Sequence, residues 1–599
     1  MAGLSDAATV ALATATWAGA ALAPAVPWTL VVVLLVAAAL VPRPALWCVA
    51  AFVLAGTLGA AAHAGLAPPE PAPYDGWATL VSDPEPTRSG QRVELRLDGR
   101  RLEAWARGGA AGSLVERLSG ERVEVSGRIE AFLRADEWRV ARHLAGRFEI
   151  VSVRAWEPGH PVTRAANALR RTLARGAAPL PEDTRALFLG FVLGDDRGRS
   201  ELVTDDFRGA GLTHLLAVSG QNVAFVLAVA DPALRRLPLR GRWVATVGLL
   251  VFFALLTRFE PSVLRATAMA ALVTLATTWG REASSVRVLA LAVAGLLLID
   301  PLLVGALGFR LSVAASAGIA VLAPPLTRAL PGPRWLVLPL AVGLAAQIGV
   351  APLLLAGFGG LPVVAPAANL AAVPAAGPIS TWGMTAGLLA GVFPGLAGIL
   401  HVPTRLLVGW IAGVARVAVA LPLGQLGPAG FVVVVGAGAA ALLARHRGRV
   451  AAARVGAAVM AVALLVPGVT LRLGAAPVHG SPAADAELWR SGPQALLVLG
   501  GRTDEGDLLQ GLREAGVLHL DLVVCRSPAG ALHQVVADLR RRYGPFVLVA
   551  PSDGGLPGAI QPESGSDLRV GGLIGHVEVS SDSVDIEVRP APGADAGPV

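Results

Sequence analysis

WTLVVVLLVAAALVPRPALWCVAAFVLAGTLGAAAHAGL, residues 28–66, is the stretch whose reading decides the fold, and Arg43 is its only Asp, Glu, Lys or Arg. Apolar runs of about twenty residues match the hydrocarbon thickness of a bilayer. Another such run, at about 7–24, comes before it, and more recur across 211–471. A cleaved leader fits this start poorly, because Asp6 precedes the first run, no arginine opens it and two more runs follow closely. Arg43 puts the loop between the second and third runs in the cytoplasm by the positive-inside rule. The third helix therefore exits and delivers residues 67–210 to the outer face.

A soluble chain of 599 residues would have room for three or four domains. With 54% hydrophobic and 16% charged residues, gathered in unbroken runs, the composition belongs to a membrane protein instead. No lysine occurs, so the net charge of +7 is carried by arginine, which together with the Ala, Gly, Val and Pro richness fits a GC-rich genome. Without a lysine there is no Walker A motif, and the chain is not itself a P-loop motor. Cys48 lies in an apolar run and Cys525 in an expected buried strand, both as small core residues rather than disulfide or metal partners.

After a proline-rich linker (Pro68, Pro69, Pro71, Pro73), residues 74–155 change character. Polar and apolar residues alternate in GQRVELRLDG (90–99), RRLEAWARGG (100–109) and ERVEVSGRIEAF (121–132). Period-two alternation between glycine-containing turns reads as a small antiparallel β-domain. Residues 162–176 and 182–194 are amphipathic and read as helices at the membrane surface. Arginine clusters then alternate along the core: 235–242, Arg281 and Arg287, Arg328 and Arg334, Arg405, and 445–454. Placing each cluster inside requires about ten core helices, the last running outward at 455–471, so 476–599 is also outside. Arg258, in an expected outer loop, breaks the pattern. Residues 359–377 are interrupted by Pro362, Pro366 and Pro374 around Asn369. Two readings stay open there: a re-entrant segment beside a pathway, or a tight outer hairpin between ordinary helices.

Four stretches of the core resemble the ComEC-type competence family. GAGLTHLLAVSGQNVAFVLA (209–228) is similar to its signature G-x-x-H-L-L-A-V-S-G, with Asn222 where many members carry histidine. PSVLRATAM (261–269), DPLLVGALGFRLSVAASAGI (300–319) and APLLLAGFGGLPVVAPAANLAAVP (351–374) resemble the second, third and fourth motifs. The resemblance implies a channel for single-stranded DNA. Physical reasoning points the same way: Arg265 and Arg310 sit in apolar stretches, where an ionisable group needs a wet or polar interior. His214, Ser219, Asn222, Arg265, Arg310 and Asn369 are the pathway candidates. For each the alternative is a structural partnership, such as Arg310 with Asp300 or close helix packing at Ser219-Gly220.

The family also implies an OB-like β-barrel at 74–155 and a C-terminal metallo-β-lactamase-like domain. On the barrel, Trp77, Trp105, Phe132 and Trp138 are candidate base-stackers, and Arg92, Arg96, Arg101, Arg107, Arg128 and Arg139 are candidate phosphate contacts. The alternative is that the aromatics are core and the arginines a solvated face. In the C-terminal domain, the family's H-x-H-x-D-H metal motif should follow the strand at 520–525. By this alignment Ser527 and Ala529 stand for the first two histidines, Ala531 for the aspartate and Leu532 for the last histidine. His533 falls one place late, Asp504 and Asp507 alone make no site, and His519 and His576 are scattered. Alanine and leucine donate no electrons to a metal, so no metal, cofactor or catalytic residue is expected, and the domain reads as a pseudo-enzyme.

The expected architecture is a polytopic α-helical membrane protein with about thirteen transmembrane helices and two extracytoplasmic domains. Its parts are N-terminal helices at 1–66, the OB-like domain at 74–155, surface helices at 156–208, a channel core at 209–471 and the degenerate domain at 476–599. Expected partners are single-stranded DNA, membrane lipid, an external DNA receptor and a cytoplasmic ATP-driven translocase, with homo-oligomerisation left open. Competing readings are a transporter for another anionic solute and a membrane-anchored metallo-hydrolase.

Overall fold

Helix starts follow the punctuation of the sequence. Ser5 caps the first helix, Asp6–Leu22, its hydroxyl accepting from the Ala8 N–H. Pro44, Pro161, Pro261 and Pro428 open the helices Pro44–Ala64, Pro161–Ala177, Pro261–Thr278 and Pro428–His446, where a missing N–H leaves no hydrogen bond unmade. The structure is a computed structural model that describes residues 5–591 except 42, 88, 135, 219, 281–283, 474–477, 528–529, 531, 552–555 and 581–582. Among the described residues, seven helices are long and apolar enough to cross a bilayer, and Trp28–Leu40 and Ser285–Ile299 are shorter apolar helices. The chain divides into two units.

The first unit comprises Met1–Gly198, His214–Leu353 and Leu370–Ile411. Its β-domain has strands β1 (Ala72–Leu80), β2 (Glu85–Thr87), β3 (Gly90–Leu97), β4 (Arg100–Ala106), β5 (Arg122–Glu130) and β6 (Leu144–Glu157). β1 pairs with both β3 and β5, β5 with β6, β6 with β4 in parallel, and β4 with β3. These pairings close a circuit of five strands, with β2 as a flap on β3. The alternation read from VELRL is realised: Val93, Leu95, Leu97 and Leu102 point into a core shared with Val123, Val125, Phe148 and Ile150. The helix Gly108–Leu114, between β4 and β5, adds Leu114 to that core.

The amphipathic helices expected at 162–176 and 182–194 are Pro161–Ala177 and Glu182–Leu193. Their apolar sides face protein, against the second half of the Ala365–Val392 helix. A Cβ built on Gly176 would lie 2.1 Å from the Gly387 carbonyl oxygen, and one on Gly391 2.1 Å from that of Thr172, so only glycine permits this approach. Leu173 and Phe188 are fully buried there. Each contributes roughly 1.5–3 kcal/mol by leaving water.

The second unit comprises Arg199–Thr213, Leu354–Asn369 and Ala412–Val599. The proline-interrupted 359–377 segment resolves into a turn followed by a helix. Gly359 (φ 73°) follows the helix Arg334–Phe358, then the two-residue strand β7 (Leu361–Pro362) pairs with β8 (Gln425–Leu426). From Ala365 the chain is a continuous helix to Val392, with Pro374 and Pro378 inside it. The backbone from Ala365 onward is thus regular helix. The Pro428–His446 and Val450–Leu473 pair buries none of its most apolar stretch within the protein, which leaves that surface for lipid.

The C-terminal domain has a six-stranded sheet of β9 (Val478–Gly480), β10 (Ala486–Ser491), β11 (Gln494–Leu499), β12 (Leu522–Cys525), β13 (Val547–Val549) and β14 (Ala559–Ile560). β11 to β14 run parallel and β9 and β10 antiparallel. A second sheet is formed by β15 (Ser566–Val570), β16 (Leu573–Val579) and β17 (Val584–Pro590). Successive side chains of β11 divide between two cores. Leu497 and Leu499 pack on the helices Glu505–Glu514 and Leu532–Tyr543, while Leu496 and Val498 pack on the second sheet.

Candidate nucleic-acid interface and membrane pathway

In the core, three of the sequence motifs meet at one side chain. Arg265, half-buried in the Pro261–Thr278 helix, donates from Nε to Ser312 Oγ at 2.7 Å and from Nη1 to Met269 Sδ at 3.2 Å. Its Nη2 lies 3.2 Å from where a Cβ would stand on Gly220, so the glycine makes room for the guanidinium. Ser262 Oγ also donates to the Val218 carbonyl at 2.6 Å, holding Val218 to the head of this helix. Among the described residues Arg265 has no carboxylate partner. Ser312 was not singled out in the sequence, although its place two residues after Arg310 within the third motif was a usable signal.

The other pathway candidates do not gather around Arg265. Arg310 donates from Nε to the Val304 carbonyl at 2.6 Å and pairs with Glu137 at 3.5 Å. Its expected partner Asp300 is instead occupied by His143 at 3.0 Å and by the Leu302 N–H. Asn222 is buried, donating to the Phe191 carbonyl at 2.8 Å and accepting from Ser380 at 3.0 Å. Beside it, Gln221, Phe225, Pro339, Pro374, Pro378 and Thr381 line a cavity of about 520 Å³. Asn369 bonds the Ala365 carbonyl one turn back at 2.9 Å and Gly211 at 3.5 Å, which joins the fourth motif to the start of the first. His214 is exposed, in the short helix Thr213–Leu216. Ser219 lies outside the described residues.

On the barrel, three of the six candidate arginines, Arg92, Arg107 and Arg139, are ion-paired. Glu94 and Glu103 stand directly opposite on β3 and β4, only 7% and 3% exposed, facing away from the core. Two like charges in register are destabilising alone. The short helix Glu137–Ala141, capped by Asp136, lays Arg139 across Glu103 at 3.1 Å and is followed by Arg142, which pairs with Glu94. Arg92 pairs with Glu85 and lies 3.7 Å from Glu103. Burial would lower the pKa of Arg92, but Glu85 and Glu103 more than offset this and raise it. Arg107 pairs with Glu149 at 3.3 Å.

Each candidate aromatic lies under a guanidinium: Trp77 with Arg122 (5.1 Å), Trp105 with Arg147 (5.4 Å), Phe132 with Arg139 (4.7 Å), and Trp138 between Arg92 and Arg142 (5.2 and 5.1 Å). None of the four belongs to the barrel's buried core. Arg96 and Arg128 are exposed, and Arg96 faces Arg101 across the strands.

A cluster missed in the sequence fixes the barrel to the membrane core. Asp83 accepts from the Ser119 N–H (2.8 Å), twice from Arg258 (2.7 and 3.2 Å) and from Arg170 (2.9 Å). Arg170, 3% exposed, also donates to the carbonyls of Leu193 and Leu256 and to Asp195. Burial alone would raise the Asp83 carboxyl, yet Arg170, Arg258 and Arg197 hold it well below the usual carboxylate range. Asp195 is likewise held low, burial being outweighed by Arg197 and Arg170. The outer-loop anomaly Arg258 is thus the barrel's partner.

In the C-terminal domain, Asp504 caps the Glu505–Glu514 helix by accepting from the Asp507 N–H. Leu532 is in the core and His533 is exposed, while Ala529 and Ala531 lie outside the described residues. His519 lies 3.7 Å from Asp521, and His576 bonds Asp567 at 2.8 Å. Among the described residues no three His, Cys, Asp or Glu side chains are grouped to hold a metal ion. Cys525 is fully buried, which pushes its thiol up to about 12, as fits a core residue. Asp205, 1% exposed on the Glu201–Gly209 helix, pairs with Arg513 at 3.0 Å and Arg542 at 2.7 Å, anchoring that helix to this domain.

Residues 191–448 match the family model described as Competence protein. ComE operon protein 3 of Bacillus subtilis (strain 168) is 25% identical over 312 residues, covering 49% of this chain and 40% of that protein. The protein described as "Uncharacterized protein YcaI" of Escherichia coli (strain K12) is 26% identical over 211 residues, 32% of this chain and 28% of that protein. The alignments therefore span less than half the length of these curated relatives. No solved structure matches the chain. The matched segment contains the three motifs that meet at Arg265 and the whole of the fourth motif. Residues 191–448, less than half of the chain, are thus similar to the competence-protein family.

Proposed function

We propose that this chain is a passive channel for single-stranded DNA across the bacterial cell (inner) membrane during natural transformation. The observation that carries the reading is Arg265, an arginine in a membrane helix with no carboxylate partner among the described residues, held where three competence motifs converge. An unneutralised cation at membrane depth suits an anionic passenger. On this reading six further helices (Asp6–Leu22, Trp28–Leu40, Gly220–Leu234, Pro261–Thr278, Ser285–Ile299 and Ala365–Val392) also cross, and with the seven long apolar ones they would make the thirteen expected crossings. The ties of Asp83 to Arg258 and of His143 to Asp300 support one face for the barrel and for two helix ends that the arginine alternation puts outside.

The barrel is read as OB-like, on its five-strand circuit, its parallel closing pair and the helix between β4 and β5. The C-terminal domain is read as a metal-free, metallo-β-lactamase-like pseudo-enzyme on the same outer face. The channel then relies on an external DNA receptor and a cytoplasmic ATP-driven motor. Uptake of labelled DNA into a transformable host tests this: deletion of the gene is expected to abolish uptake. Uptake at the wild-type rate in the deletion strain would remove DNA as the passenger and favour another anionic solute. Stoichiometric, tightly bound zinc or manganese on the purified protein would overturn the pseudo-enzyme reading.

A further inference from the structure

The β3–β4 hairpin turns through Asp98 (φ 45°) and Gly99 (φ 84°), a two-residue turn of the kind that matches strand twist. That turn fixes the register, pairing Leu97 with Arg100, Arg96 with Arg101 and Leu95 with Leu102. Since Leu95, Leu97 and Leu102 fill the core, Arg96 and Arg101 stand side by side on the outer face. On the same face follow Glu94 opposite Glu103, then Arg92 opposite Trp105. The two acids are consumed by Arg92, Arg139 and Arg142. Among the described residues, Arg96 and Arg101 are left with no carboxylate partner, and two like charges directly opposite destabilise a strand pair. Burial, and after it the charge of Arg96, depress the pKa of Arg101. A second cue lies beside them: Trp138, 42% exposed, carries the guanidiniums of Arg92 and Arg142 over its ring, which adds to the positive charge of this face.

We propose that Arg96 and Arg101 form a paired phosphodiester site on the outer face of β3 and β4. Guanidinium forks match phosphate oxygens in a bidentate way, and a bridging phosphate cancels the repulsion that the register imposes. This rests on the barrel taking single-stranded DNA, and selects which of its arginines take the backbone. An anionic lipid headgroup presents the same phosphate chemistry. The strand is favoured because the pair shares its face with stacked aromatics rather than with an exposed apolar belt.

The test uses the full chain in nanodiscs of neutral phosphatidylcholine, titrated with a fluorescein-labelled oligothymidylate at several salt concentrations. The double variant Arg96→Gln/Arg101→Gln is expected to bind about tenfold more weakly at low salt, with a log–log salt slope shallower by about 0.7 for the one lost phosphate. Arg107→Gln, which breaks an exposed pair with Glu149, serves as control and keeps the wild-type slope. Thermal unfolding reports whether the variants fold, and removing the repulsive pair should not lower the midpoint. Wild-type binding with an unchanged slope in the double variant overturns the site while leaving the barrel's role. Absence of wild-type binding at low salt overturns that role, and the site with it. Lost binding to phosphatidylglycerol vesicles with unchanged DNA binding reassigns the pair to lipid and overturns the proposal.

Discussion

Replacing Asp83 with asparagine removes the one carboxylate that joins the β-barrel to two arginines of different helical segments. Its oxygens accept four hydrogen bonds, from Ser119, Arg170 and twice from Arg258, and its side chain is 11% exposed. Breaking one partner out of a buried ion pair costs about 3–5 kcal/mol, because the other charge is left uncompensated. Here Arg170 keeps Asp195, and Arg258 is 15% exposed, so the lower end applies, about 3 kcal/mol. That is a factor of roughly 150 in the equilibrium between docked and undocked barrel. Hydrogen–deuterium exchange on the reconstituted protein reads it directly, through the Ser119 amide and the helix Pro161–Ala177. Exchange there should rise by that factor while the barrel's own ladder amides stay protected. Arg122→Gln, which breaks an exposed pair with Glu157, should change nothing measurable. Exchange in Asp83→Asn within about threefold of wild type would refute the claim that this cluster holds the barrel.

Acid should undo the same contact. Asp83 and Asp195 have pKa values held below their ordinary 3.8, so their contribution is complete above that value and is lost as pH falls through the folded pKa. Docking should therefore be flat from about pH 5 to 8 and weaken below about pH 4, as measured by crosslinking between the barrel and the Pro161–Ala177 helix. Arg265→Gln should cut DNA uptake at least about tenfold at unchanged membrane abundance, because no orphan carboxylate is left behind. Loss of the protein from the membrane would make Arg265 structural. Gly318→Leu should lower the thermal midpoint, since a Cβ there would lie 2.3 Å from the Ala345 carbonyl oxygen on the neighbouring helix. Asp205→Asn should destabilise the grip of Arg513 and Arg542 on the Glu201–Gly209 helix by about 2–4 kcal/mol, read as faster proteolysis around 199–210.

Local periodicity made the β-domain legible. VELRL alternates within five residues, and the same alternation sends Val93, Leu95 and Leu97 inward. Which arginines stay open to a ligand was not legible, because the partner is chosen by distant chain. Arg139 finds Glu103 36 positions away, and Arg258 finds Asp83 across 175. Pattern alone therefore grouped Arg92, Arg107 and Arg139 with Arg96, though the first three are neutralised by neighbours. Arg258 shows the converse: its departure from the arginine alternation was visible, and only the fold supplied the reason. The prolines of 359–377 show how context overrides a local breaker. Pro366 lies in the first turn of a helix, where it is tolerated, and Pro374 in a helix that continues past it.

The Asp83 cluster also bears on how the chain is threaded. Arg258 follows the Leu239–Leu256 helix directly, and its carboxylate partner lies 175 positions earlier in the chain. A helix inserted in the opposite sense would carry Arg258 to the other leaflet. Asp83 and Arg170 would then be left short of one charge, and the Leu256 carbonyl would lose its donor. Correct and inverted insertion thus differ by several hydrogen bonds to charged groups, decided at a single residue. The cluster thus ties the end of one helix to a carboxylate far away in sequence, a constraint separate from the charge bias of the loops.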